Sequence, residues 1–586
     1  MKPYFILLLS LVCGCAGKSA EVNYVSIKEK LVHHHKHNFL NEAIDKQDST
    51  ILVLATRGDK KGIMGCSFEY AVEDNTPISY LIKYKNNDSV VVNLPLGPSI
   101  QSSYKTAPSA YSNLVAYFFN QNAEMVHSDT IALPQTKEWT ELKGEIKTKN
   151  CDFFTITIET QGSSNEVSSS MSIMDLSISE LPKIKEKEVH HIQPSSINTW
   201  EDLLSSPLMD KKILALGETV HGTETLEDVA LSLMKKRVLN HNCKLLLFEF
   251  DIESSFALNR YIKNDVNFNK SNADYRNTLK GSLVSDSIWL FLDWIKEYNA
   301  THNNEVSLYG VDILQDLKFS KMDICNFLYT LNKESVATIA PICEAIIEPS
   351  NYKFNVNDIL CMIDSNETLK NKLTDVEYKL LRHCISNWDI KSSTGRLEIR
   401  EDNMATNTLK IIELCDSTHS NPTMYLHSGH VSNTYTHTNT SKGFAIYPNA
   451  PSMGRQLKNH FTDDYASITI TCLRGKATTF WKDAFVTEKL KDVPETSIEY
   501  QMSKKPGSIL YLPSKNIPSN TKYHIRYSGN IAVGVPVLLC DPKVYCDGII
   551  LVEEAKPNKK SNEFRKNQNI IWFEQFQKFK KILTVH

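Results

Sequence analysis

Residues 212–250, KILALGETVHGTETLEDVALSLMKKRVLNHNCKLLLFEF, decide the fold. Lys212–Gly217 is a short apolar run bounded by glycine, and Lys244–Phe250 is a second such run, so both read as buried strands. Between them Leu226, Val229, Ala230, Leu233 and Met234 fall at i, i+3, i+4, i+7 and i+8, the stripe of an amphipathic helix. Strand, helix and strand together predict a βαβ unit with parallel strands and a right-handed crossover.

The same texture continues downstream. Val306–Ile313, Met424–His427, Tyr465–Cys472 and Gly548–Val552 read as further strands, and 320–415 as largely helical, most clearly over Asn355–Asp364, Glu377–Asn387 and Asn403–Cys415. Residues 197–586 are therefore expected to form one α/β domain, a parallel-sheet core with a helical insertion. Upstream, 23–180 is β-like: Ser79–Tyr84, Ser89–Leu94, Leu114–Phe119, Phe153–Ile158 and Ser172–Ile178 are separated by Asn, Gly, Pro and Ser turns. Phe154, Ile156 and Ile158 alternate with Thr155 and Thr157, the period of a strand with one wet face. An antiparallel sandwich of jelly-roll type is expected there, serving as a spacer or as a glycan-binding surface. The charged stretch 181–196 reads as a linker.

At the start, Lys2 precedes the apolar run Tyr4–Val12, long enough for a signal-peptide core and too short to span a bilayer. It ends in Leu11-Val12-Cys13-Gly14-Cys15, which resembles a bacterial lipobox; with Gly14 as the small residue before it, Cys15 is the expected lipid-anchored residue. The chain is thus expected to be exported and held to a membrane in the cell envelope, with 1–15 as the leader. The tract His33–His37 reads as a solvated stretch near that anchor. Beyond Cys13 and Cys15, eleven cysteines are scattered without CxxC pairs, which excludes a disulfide framework or a zinc ribbon. Only Cys540 and Cys546, flanking a short Pro-containing turn, suggest a bridge.

With 65 basic and 68 acidic residues among 586, the formal charge of −3 gives no basic excess for phosphates, and nucleic acid is not an expected partner. No G-x-S-x-G, HExxH or P-loop motif occurs, which counts against a serine α/β-hydrolase, a zincin and a P-loop enzyme. In open parallel sheets ligands bind beyond the carboxyl ends of the strands. There the chain places Glu218 and His221, then Glu249 and Asp251, then Asp312, then His427 and His430. Ionisable groups are costly in apolar strands unless paired, so their recurrence at equivalent ends marks a candidate site. A neutral imidazole oriented by a carboxylate takes a proton from water near neutral pH, and a second histidine stabilises the oxyanion. The same residues offer N and O ligands for a metal-assisted alternative.

Six segments occur in an order that resembles the erythromycin esterase family. They are Gly217-Glu218-x-x-His221-Gly222, Phe248-Glu249-Phe250 with Asn259–Ile262, Gly310-Val311-Asp312, Asn403-Met404-Ala405 with Asn407, His427-x-x-His430-Val431, and Met453-Gly454-x-x-Leu457 with Asp463-Asp464-Tyr465. The resemblance covers roughly 197–560 and implies an α/β core that hydrolyses an ester without metal or other cofactor, in the namesakes a macrolide lactone. It implies that His221 is the base, with Glu218, Glu249, His427 and His430 completing the site. The expected partner is a small-molecule ester or lactone. Three positions depart from the family pattern: Val220 stands where Ser or Thr is usual, Ala230 where an Arg is usual, and Ser428 where Asn is frequent. These departures leave a catalytically weak, glycan-binding surface lipoprotein as a further alternative.

Overall fold

The computed structural model describes residues 23–28, 31–33, 50–55, 62–68, 77–87, 91–97, 100–107, 109–120, 125–151, 153–162, 168–179, 189–269, 285–303, 305–313, 317–347, 355–388, 397–415, 420–440, 443–481, 484–518, 521–527, 537–558, 576–577 and 580–581. The leader with Cys13 and Cys15, residues 34–37 of the histidine tract and 181–188 of the charged stretch lie outside them.

The α/β part is built on β1 (Ile213–Glu218), β2 (Leu245–Asp251), β3 (Ser307–Asp312), β4 (Thr423–His427), β5 (Tyr465–Trp481), β6 (Ile509–Pro513) and β7 (Gly548–Ala555). They lie in the order β3-β2-β4-β1-β5-β7-β6, and Ala484–Lys489 pairs with the far half of β5. All neighbours along this order are parallel except β6 against β7. The expected parallel pair is present, but β4 lies between β1 and β2, so the helix Glu224–Asn240 crosses over a strand that arrives much later in the chain. Strand β5 also runs past the expected Cys472, because its extension through Lys476 and Thr478 is held by the hairpin partner and needs no apolar run.

Every residue of β1 and β2 is buried, as parallel strands covered on both faces require. On one face Ile213, Ala215, Leu247, Met424 and Leu426 pack with Phe327, Ile346, Leu381 and Met404 of the helical middle. On the other, Leu214, Leu216, Leu246 and Tyr425 pack with Leu226, Ala230 and Leu233, and with Phe291 and Ile295 of the Asp286–Thr301 helix. The buried Arg237 closes the entry edge, donating to the carbonyls of Met209, Lys212, Asn421 and Pro422 and to Thr423 Oγ1. It thereby fixes where β1 and β4 begin, and hence where both end.

The N-terminal part is a sandwich. One sheet combines Ile78–Asn86, Thr140–Ile146, Ser168–Ser179, Ile100–Ala107 and Val91–Gly97 with Tyr24–Ser26 and Ile51–Ala55. The other has Val32–His33, Gly62–Phe68, Phe153–Gly162, Ser109–Phe119 and Met125–Leu133. Ile82, Tyr84, Leu114, Phe118, Phe154, Ile156 and Ile158 fill the space between them. The supposed wet face is dry: Thr155, Thr157 and Glu159 are all buried. Its polar groups are satisfied locally, Thr157 Oγ1 donating to the Val115 carbonyl and the Tyr117 hydroxyl to Glu159 Oε1 at 2.5 Å. Alternation reports the chemistry of a face and not what covers it. Phe119, on the same face, joins a core with Ile192, Ile498, Leu512, Tyr523, Ile525 and Tyr527 of the second part.

All eleven described cysteines are free, Cys540 and Cys546 among them, which removes the bridge suggested by their spacing. No helix among the described residues is long and apolar enough to cross a membrane.

Candidate active site

Four parallel strands deliver the site. In register, Glu218 at the end of β1 lies beside His427 at the end of β4, and Asp251 of β2 beside Asp312 of β3. After β1 the chain turns through Gly222, whose φ of 82° lies in the left-handed region. The Gly222 carbonyl accepts from the N–H groups of Thr478 and Asn558 at 2.8 and 3.0 Å, which pins the turn carrying His221.

His221 Nδ1 lies 2.6 Å from Glu218 Oε1. The buried Tyr425 hydroxyl donates to the other carboxylate oxygen, so the carboxylate is held from both sides. With Nδ1 directed at a carboxylate, Nδ1 is the protonated nitrogen and Nε2 the accepting one. Among the described residues Nε2 has no hydrogen-bond partner, and 40% of the His221 side chain is open to solvent. Crowding by the protein pulls its pKa down. The hydrogen bond to Glu218 and the charges of Glu249 and Glu218 outweigh that pull and the repulsion from His430, so the pKa is raised above its ordinary value. Beside it is a cavity of about 20 Å³ lined by Glu218, His221, Glu227, Phe248, Glu249 and Tyr425, among others. A single water needs about 10–15 Å³.

The other two histidines have different fates. His427 stands 4.9 Å from His221, ring centre to ring centre. Its Nε2–H donates to the Tyr527 carbonyl at 3.1 Å, while Nδ1 accepts from the Gly429 N–H at 3.2 Å. Both nitrogens are used, which fixes a neutral ring. Burial and repulsion from His221 and His430 pull its pKa down to about 3, against the opposing charge of Glu249. His430 lies between carboxylates, with Nδ1 2.5 Å from Glu401 Oε1 and Nε2 3.4 Å from Glu249 Oε1. Burial and Arg400 oppose its charge, but Glu401 and Glu249 prevail and push its pKa up to about 10. It is an imidazolium at neutral pH.

Glu249 is the hub. Its Oε2 accepts the His427 backbone N–H at 2.7 Å and its Oε1 accepts from Arg400 Nη2 at 2.9 Å. Burial favours its neutral form, but His430, His221 and Arg400 hold it ionised, with a pKa well below the carboxylate range. Arg400 also grips Asp312 through Nε and Nη2 at 2.9 and 2.6 Å. Glu218, Glu249, His221, His427 and His430 are thus brought into one cluster, with Asp312 tied to it through Arg400.

Three contributors went unread in the sequence. Arg400 and Glu401 lie on the Leu397–Cys415 helix, where two adjacent charges look like an exposed face; Tyr425 sits inside an apolar strand and looks like core. Ala230, in place of an arginine, is fully buried against the sheet. The guanidinium of this site comes from Arg400. Among the described residues, no group of three or more His, Cys, Asp or Glu is disposed to hold a metal ion.

A mostly parallel sheet that gathers histidines and carboxylates at its strand ends defines an α/β protein with an ionisable cluster at one edge of its sheet. The chain belongs to the erythromycin esterase family: that family's model, described as Erythromycin esterase, matches residues 238–537. The matched span takes in Glu249, Arg400, Glu401, His427 and His430 and begins after Glu218 and His221. No curated protein matches the chain. Among solved structures, a Bacillus cereus protein is 16% identical with a TM-score of 0.48, covering 62% of this chain and 96% of its own. A succinoglycan biosynthesis protein is 18% identical with a TM-score of 0.47, at the same coverage. A mutant of the erythromycin esterase EreC in its open conformation is 14% identical with a TM-score of 0.42, covering 61% of this chain and 94% of its own.

Proposed function

We propose that the protein hydrolyses an ester or lactone, with His221 as the general base that activates water. The observation that carries this reading is the 2.6 Å contact of His221 Nδ1 with a carboxylate clamped on its far side by Tyr425, which leaves Nε2 as an accepting nitrogen beside a water-sized cavity. Water gives its proton to Nε2 as its oxygen attacks the carbonyl carbon. The imidazolium so formed is stabilised by Glu218 and Glu249, and it returns the proton to the departing alkoxide. Such base catalysis contributes about 10²–10⁴-fold. No covalent enzyme intermediate is required.

His427 in this reading is a neutral ring that shapes the wall of the site, and His430 with Arg400 supplies fixed positive charge that keeps Glu249 ionised. The substrate is a small ester or lactone; macrolides, acylated sugars and simple esters are the panel to screen. His221→Ala is expected to lower turnover by about 10²-fold or more with the fold intact. Near-wild-type turnover in that variant would sink the assignment.

Export and lipid anchoring at Cys15 belong to the same proposal, supported by the apolar run Tyr4–Val12 and the Gly14-Cys15 pair. Cys15→Ala is expected to abolish incorporation of labelled palmitate; undiminished labelling refutes it. A glycan on the sandwich would use the sheet containing Ile78–Asn86, where the Lys85 ammonium sits 4.9 Å over the Trp139 ring, since the face around Thr157 and Glu159 is covered.

A further inference from the structure

Behind the site runs a second polar network, fully buried, none of whose members lines the cavity. Thr219, between Glu218 and Val220, donates its hydroxyl to Thr471 Oγ1 at 3.2 Å. The Thr471 hydroxyl donates in turn to Glu499 Oε1 at 2.7 Å. The same Glu499 oxygen accepts the Arg526 backbone N–H at 2.7 Å. Arg526 is followed by Tyr527, whose carbonyl holds the Nε2–H of His427. Thr219, Thr471, Glu499 and Arg526 are each essentially inaccessible to solvent.

The frame around this chain is rigid at both ends. Thr219 N–H donates to the Ile470 carbonyl at 3.0 Å, so its backbone is tied to β5. The Arg526 guanidinium donates to the carbonyls of Cys472 and Leu473 at 2.9 and 3.0 Å, which ties the Tyr523–Arg526 strand to the same β5, and to that of Lys491, beyond the Ala484–Lys489 strand, at 2.9 Å. Glu499 adds a side-chain link between them, through Thr471 on one side and the Arg526 N–H on the other, and it comes from a third element, the short Ile498–Met502 helix.

We propose that Glu499 is a positioning residue of the active site: through Thr471 and the Arg526 N–H it holds the His221 turn and the Tyr527 carbonyl in register, and so sets the separation of His221 and His427. The inference rests on the hydrolase reading for its catalytic consequence, but not for its structural one. A carboxyl suits the place because one oxygen accepts two donors from different elements. Removing that acceptor takes from the Thr471 hydroxyl its acceptor and leaves the buried Arg526 N–H without a partner, which the surrounding backbone must shift to relieve. Shifts of an ångström in a reacting group cost up to about 10²-fold in rate.

The test uses the full chain with ¹⁵N-labelled histidine. Glu499→Leu is expected to lower kcat about 10- to 100-fold with little change in KM, and to shift the His427 Nε2–H resonance and speed its exchange with solvent. Glu499→Gln, which keeps an accepting oxygen, is expected to restore both. If Glu499→Leu does not fold, Thr471→Val keeps the volume, breaks the link to Thr219, and is expected to move the His221 resonances. A folded Glu499→Leu or Thr471→Val protein with unmoved His221 and His427 resonances overturns the proposal, as does a Glu499→Gln protein as impaired as Glu499→Leu. If wild type hydrolyses no ester in the panel, the hydrolase reading fails while the resonances still decide the role of Glu499.

Discussion

Replacing Glu401 by Gln alters one atom pair in the buried charge cluster, and its consequence can be worked from the geometry. Glu401 is wholly buried; its Oε1 meets His430 Nδ1 at 2.5 Å and its Oε2 accepts the Met453 N–H at 2.7 Å. A glutamine keeps an oxygen for Met453 but turns an NH₂ group toward His430 Nδ1. The ring must then present Nδ1 as an acceptor, which only the neutral form does. In the wild-type protein the His430 pKa lies at about 10 against 6.5 for a free imidazole, a gap that corresponds to about 5 kcal/mol at 1.36 kcal/mol per unit. Because the folded value is the higher one, this stabilisation is complete below pH 6.5 and is lost as pH rises through about 10. Wild type should therefore lose stability steadily between pH 6.5 and 10. Glu401→Gln should start about 3–5 kcal/mol lower near neutral pH, as expected when one partner of a buried ion pair is removed, and should be nearly flat over the same window. Urea unfolding followed by tryptophan fluorescence at pH 6, 7, 8 and 9.5 reads both. Parallel pH curves for the two proteins would refute the assignment of a charged His430 sustained by Glu401.

Ester hydrolysis should show an acid limb above the ordinary imidazole range, since the raised pKa of His221 keeps the base protonated below it, and kcat/KM should fall tenfold per pH unit beneath that value; a limb below pH 6 in the pH–rate profile contradicts the role of Glu218 and Glu249. Gly222→Ala should destabilise the protein by about 1–3 kcal/mol and depress activity together, because a Cβ there would come within 1.9 Å of the Thr478 carbonyl oxygen at a φ of 82°; unchanged thermal unfolding and turnover would show that the turn carrying His221 has room it is not credited with.

The sheet was readable because its strands are short apolar runs, and the site was readable because four of those runs end at ionisable residues. Glu218, Glu249, Asp312 and His427 announce themselves by being out of place among Leu, Ile and Phe. Strand order was not readable in the same way: nothing in Met424-Tyr425-Leu426 says that it inserts between β1 and β2, since any apolar strand fits any slot buried on both faces. Arg400 and Glu401 were hidden for the opposite reason, as charges on a helix are the normal decoration of a solvated face, and only tertiary packing buries them. Thr155 and Thr157 misled by the same logic, their alternation marking a polar face that the rest of the chain covers.

The three site histidines form a short series in which the middle member is electrically silent. His221 and His430 are set apart by His427, with ring centres 4.9 and 6.2 Å from it. Were His427 able to take a proton, the charge would spread along the series, and the base would compete with its neighbours for it. Because the Tyr527 carbonyl and the Gly429 N–H occupy both of its nitrogens, His427 behaves as an insulator, so that under the proposed mechanism a permanent cation and a base that must cycle between charge states would work side by side.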